Sequence, residues 1–133
     1  MSEPKICIAG LGAVGGLIAA RIAGSGRPVS ALARGENLRR VREHGLVLLE
    51  GPAASPQKSV AQLQVSDDPH ELGAQDVLIV AVKATSLESL VSEIKPLIGP
   101  QTAIVTAMNG VPWWFFEAIG GQWRGTQIGR AHV

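Results

Sequence analysis

One cysteine in 133 residues excludes an intramolecular disulfide, and nothing in the sequence spaces Cys and His as a metal-ligand set. Cys7 therefore reads as a small buried strand residue of a protein kept in a reducing cytoplasm, and no metal is expected. An excess of charge of either sign is also missing. Twelve Lys and Arg stand against eleven Asp and Glu, which removes the bulk attraction that marks nucleic-acid or anionic-membrane binders. Long apolar runs are absent too: Ile6 to Ala20 is broken by Gly10, Gly12, Gly15 and Gly16 and is too short to span a bilayer. Glu3 spoils the positive leader that a signal peptide needs, so a soluble protein is expected.

What is present fits one compact domain, with 46% hydrophobic and 17% charged residues. Lys5 to Ala9 reads as a buried strand, followed by a glycine turn and a helix with apolar residues at Val14, Leu17, Ile18 and Ile22. Ser25-Gly26-Arg27-Pro28 stops that helix, Val29 to Ala33 is a second strand, and Glu36 to Glu43 a charged helix. Leu46 to Leu49 and Val60 to Val65 are short strand candidates around the Gly51 to Pro56 loop, and Asp67 to Gly73 is a helical turn. Val77 to Val82 is continuously apolar, as a strand covered on both faces requires. Thr85-Ser86-Leu87-Glu88 matches a capping box, predicting a helix with apolar residues Leu87, Leu90, Val91, Ile94 and Ile98 that Pro96 kinks or stops. Thr102 to Ala107 is a further strand. This alternation predicts an α/β fold of Rossmann type, a mostly parallel sheet with helices on both faces.

The glycine turn carries the first chemical signal. Gly10-Leu11-Gly12-Ala13-Val14-Gly15 follows a strand and opens a helix, the context in which GxGxxG cradles a pyrophosphate. Gly10 permits the turn, Gly12 clears the phosphate, and Gly15 lets helix and strand approach. At the end of the second strand, where NAD-binding proteins place a carboxylate for the ribose 2'-hydroxyl, this chain has Arg34. A guanidinium suits the 2'-phosphate of NADP. Arg27 and Arg39 are weaker candidates for that pocket and read as surface residues. Lys83 and Asn109 end two other strands, on the rim where ligands gather in open α/β sheets. Singly, each could be a solvent-seeking lysine or a turn asparagine.

In combination, these motifs resemble the ketopantoate reductases, or 2-dehydropantoate 2-reductases. The resemblance runs over roughly Lys5 to Pro112 and rests on Gly-Leu-Gly-Ala-Val-Gly at 10 to 15, Ala-Leu-Ala-Arg at 31 to 34, Ala-Val-Lys-Ala at 81 to 84 and Asn-Gly-Val-Pro at 109 to 112. It implies reduction of ketopantoate to pantoate with NADPH, on the way to pantothenate and coenzyme A. It also implies that Arg34 holds the 2'-phosphate, that Lys83 lies near the nicotinamide, and that Asn109 contacts cofactor and substrate.

The family's catalytic lysine and substrate-binding glutamate lie in a helical second domain that this chain stops short of, so no catalytic residue is expected here and the chain alone is predicted inactive. Residues 1 to 121 are read as the dinucleotide-binding domain, with a sheet that is itself incomplete, and 122 to 133 as a divergent or non-native tail. Trp113 to Phe116 holds four of the five aromatic residues; it reads as the packing of a helix start, or as a patch that favours a homo-oligomer. His44, His70 and His132 read as surface residues, and Asp67 and Asp68 as turn or cap residues. Two other readings stay open, a regulatory nucleotide-sensing domain and a related 3-hydroxyacid dehydrogenase, because fold does not fix function.

Overall fold

A computed structural model describes residues 2–110, 117 and 119–125. Trp113 to Phe116, His132 and most of the 122 to 133 tail lie outside the described residues. The chain alternates strands and helices: β1 (Ile6–Ala9), α1 (Ala13–Gly24), β2 (Ser30–Leu32), α2 (Gly35–His44), β3 (Leu46–Glu50), β4 (Gln57–Ala61), β5 (Gln64–Ser66), α3 (Pro69–Leu72), β6 (Gln75–Val80), α4 (Ala84–Glu93) and β7 (Ile98–Thr106). Five strands form one sheet in the order β5-β2-β1-β6-β7, with every pairing parallel. This is a Rossmann-like α/β sheet. The chain first builds outward from β1 through β2 to β5, then crosses back to lay β6 on the other side of β1, so a topological switch point lies between β1 and β6.

Period-two alternation in β1 divides the core. Cys7 and Ala9 face one side with Leu78, Val80, Leu87, Leu90, Ile94 and Leu97, so α4 covers that face. Ile8 points the other way among Ala19, Ala31, Leu38, Val41 and Val65, beneath α1 and α2. Full burial of a side chain such as Ile8 or Leu78 contributes about 1.5–3 kcal/mol. α1 packs on only half of its apolar pattern: Ile18 and Ile22 lie against the core. Val14 and Leu17 are 51% and 46% exposed, while Gly15, Ala19 and Ala20 are buried. The cause is close approach: a Cβ on Gly15 would stand 1.9 Å from the Gly10 carbonyl oxygen, so only a small-residue face fits against the turn.

Three further expectations are corrected. Val60 to Val65 is not one strand: β4 ends at Ala61 and pairs antiparallel with β3, while β5 begins at Gln64 and joins the main sheet. The alternating burial is real, yet its two halves belong to different sheets. The capping box does not form a cap, because α4 starts at Ala84 with Lys83 as its N-cap and no side-chain cap bond. The helix also ends at Glu93, before Pro96, which sits in a 3-10 turn over Lys95–Leu97. Ile98 therefore belongs to β7 rather than to the helix, and Val91 is half exposed. The turn at Asp68 holds as read: its carboxylate accepts from the His70 N–H at 2.9 Å and caps α3.

Gly15→Ala should destabilise the chain by about 3 kcal/mol or more, measured by urea unfolding; an unchanged midpoint would contradict the close-packing argument. Burial pushes the Cys7 thiol above its ordinary range, with hydrogen bonds from Ser30 and the Leu32 backbone pulling weakly the other way. A neutral, sealed thiol is a poor nucleophile. The native chain should therefore resist iodoacetamide and label only on unfolding, and labelling at the rate of a free thiol in buffer would place Cys7 outside the core.

Candidate functional site

Parallel pairing continues one residue past the strands at their carboxyl ends. Gly10 N–H donates to the Leu32 carbonyl at 3.1 Å, Ala33 to Ser66 at 3.0 Å, Ala81 to Ala9 at 2.9 Å and Ala107 to Val80 at 2.8 Å. These bonds bring the ends of β1, β2, β6 and β7 to one level, and the residues that follow them line an open cleft of about 1030 Å³. Gly10 to Val14, Arg34, Lys83 and Asn109 all line it. These sequence-predicted residues are thus brought together at the switch point, while Gly15 is buried behind the turn and does not line the cleft.

At the glycine turn, each glycine answers to a different constraint. Gly10 has φ +101°, and a Cβ there would meet Val82 Cγ1 at 2.7 Å and the Ala81 carbonyl oxygen at 2.9 Å. Gly12 has an ordinary φ of −75°, and a Cβ there would meet no protein atom within 4 Å. Nothing in the fold requires glycine at 12; only something entering the cleft would. The first helical bond runs from Gly16 N–H to the Gly12 carbonyl at 2.8 Å, so the N–H groups of Gly12 to Gly15 have no partner within the helix. No side chain caps them and no acid lies in the first turn. Such an end favours an anion.

Two more helices begin at the cleft in the same way. Arg34 is the N-cap of α2 and Lys83 that of α4, and neither makes a side-chain cap bond. Arg34, Lys83 and Asn109 are exposed. Arg34 pairs with Glu93 at the end of α4, whereas Lys83 has no ion-pair partner among the described residues. Arg39 is engaged elsewhere, bridging Glu36 and Glu43 along α2; with Arg40 it holds the Glu36 carboxyl below its ordinary range. Arg27 lines no part of the cleft.

Sequence reasoning missed Asn37 and Glu93. Asn37 lies three residues beyond Arg34 on the first turn of α2, and its Nδ2 donates to the Leu11 carbonyl at 3.2 Å, tying that helix to the glycine turn. Glu93 ends a cleft-facing row on α4, Ser86, Ser89, Leu90 and Glu93. That row keeps helical spacing and was legible as such, but the apolar face of the same helix drew the attention. The cleft lining holds no histidine or cysteine, and no group of three or more His, Cys, Asp or Glu among the described residues could hold a metal. Chemically, the arrangement is suited to an anionic ligand: free N–H groups at one point, a guanidinium on one wall, an ammonium and an amide further along.

Sheet, glycine turn and cleft together define a Rossmann-like α/β domain. Within that class, the family model for ketopantoate reductase PanE/ApbA matches residues 6–112, and the chain belongs to this family. A 2-dehydropantoate 2-reductase of Mesorhizobium japonicum is 42% identical over 93% of this chain and 37% of its own length. A candidate ketopantoate reductase from Ralstonia solanacearum, known by crystal structure, superposes with a TM-score of 0.83 at 45% identity, over 95% of this chain and 38% of that one. A D-mandelate dehydrogenase, solved with NADH and anilino(oxo)acetate, superposes with a TM-score of 0.72 at 28% identity, over 86% of this chain and 36% of that one. The chain thus spans little more than a third of these relatives. Among the described residues no helix is long and apolar enough to cross a membrane.

Proposed function

We propose that this chain is the NADP-binding portion of a 2-dehydropantoate 2-reductase, which reduces the ketone of 2-dehydropantoate to the alcohol of pantoate in a reducing cytoplasm, as a step toward pantothenate. The carrying observation is an uncapped helix end at Gly12, open to a cleft with Arg34 on its second strand end. NADPH, when bound, supplies the hydride. The free N–H groups of Gly12 to Gly15 hold the pyrophosphate, with Gly10, Leu11, Ala13 and Val14 shaping the turn. Arg34 meets the 2'-phosphate through charge-assisted hydrogen bonds. Lys83 and Asn109, at the ends of β6 and β7, lie toward the nicotinamide and orient the keto acid, which is itself an anion. The catalytic acid and the remaining substrate contacts belong to a second domain in the longer enzyme, so residues 1 to 121 bind without turning over.

The relatives named above are oxidoreductases, which supports an enzyme over a nucleotide-sensing module. A second reading retains the reaction class and changes substrate and cofactor. The D-mandelate dehydrogenase that shares this fold was solved with NADH, and a carboxylate, Glu93, stands beside Arg34.

Calorimetric titration separates these readings. Arg34→Ala should weaken NADPH binding by about tenfold to a hundredfold, the worth of one charge-assisted contact, while NADH binding changes little. Equal losses for both would remove the case for NADP. Gly12→Ala should leave the unfolding midpoint nearly unchanged and weaken both dinucleotides, because its Cβ projects into open cleft; undiminished binding would mean that the pyrophosphate lies elsewhere.

A further inference from the structure

The Arg34 guanidinium is not waiting free for a ligand. Its partner is Glu93, which reaches across the cleft from the last turn of α4. The two side chains differ in environment: Arg34 is 60% exposed and Glu93 31%. Glu93 Oε2 is sealed from solvent and has no hydrogen-bond donor among the described residues, so the Arg34 charge is what compensates it. Neighbouring hydroxyls are engaged elsewhere, since Ser89 Oγ donates to the Ser86 carbonyl and Ser92 Oγ to the Ser89 carbonyl, each at 3.0 Å. Because the pair is partly exposed, the cost to Glu93 of losing that partner is modest.

The geometry points to Glu93 as a specificity-determining residue that competes with the cofactor's 2'-phosphate for Arg34 and so lowers the site's preference for NADP over NAD. This inference rests on the assignment of Arg34 to the 2'-phosphate. A phosphate arriving at Arg34 must share the guanidinium with the Glu93 carboxylate or displace it, and in either case tolerate its negative charge nearby. A 2'-hydroxyl carries no charge and requires none of these changes. Glu93 thus acts on one cofactor and not on the other, through the same guanidinium that discriminates between them.

A double-mutant cycle on the full chain, read by calorimetric titration with NADPH and NADH, tests this. Glu93→Gln keeps size and removes charge; it should tighten NADPH about fivefold, the scale of one partly exposed ion pair, and leave NADH within about twofold. In an Arg34→Ala background most of that gain should vanish, because there is no guanidinium to release. Three results overturn the proposal: weaker NADPH binding by Glu93→Gln, which would make Glu93 a support that positions Arg34; equal changes for both cofactors; or an undiminished gain without Arg34. The parent assignment fails separately, when Arg34→Ala alone does not distinguish NADPH from NADH. Glu93→Ala, read the same way, guards against an effect peculiar to the amide.

Discussion

Parallel pairing is the constraint from which the site follows. When every strand of the main sheet runs the same way, every carboxyl end lies along one edge, and every helix that follows begins there. The hydrogen bonds from Gly10, Ala33, Ala81 and Ala107 fix that edge at one level. Residues distant in sequence, such as Leu11, Arg34, Lys83 and Asn109, become neighbours of a single cleft. The reversal of strand order at β1 opens the space between them.

Helix starts that open on the cleft differ from the one on this edge that does not. α3, which lines no part of the cleft, has an aspartate cap and a proline in its first turn, the ordinary means of satisfying a helix end. α1, α2 and α4 begin at the cleft with glycine, arginine and lysine at their N-caps, none of which supplies a side-chain cap bond. The same division runs through the glycines: Gly10 and Gly15 are demanded by protein atoms, Gly12 only by the empty space before it.

Much of this was legible in the sequence because local rules and global fold agree there. The GxGxxG turn sits between a strand and a helix, and the residues ending β2, β6 and β7 could be named before their meeting place was known. Legibility failed where one pattern served two purposes. Alternation across Val60 to Val65 is continuous, but β4 and β5 divide it between an antiparallel hairpin and the parallel sheet, a long-range choice invisible in a short window. The Thr85 box satisfies a local rule that the chain does not use, because Lys83 already ends the turn out of β6. Glu93 could be found only by tracing the polar face of α4, and its pairing with Arg34 depends on the fold.

The uncapped helix starts also say something about durability. A good cap is worth about 1 kcal/mol, so a threonine or aspartate at each cleft-facing start would make a sturdier apoprotein. Those same oxygens would present lone pairs to the cleft and oppose any anion there. The bare termini are accordingly a reserve of unmet hydrogen-bonding capacity. A protein that leaves such groups open forgoes stability that any ligand satisfying them would restore.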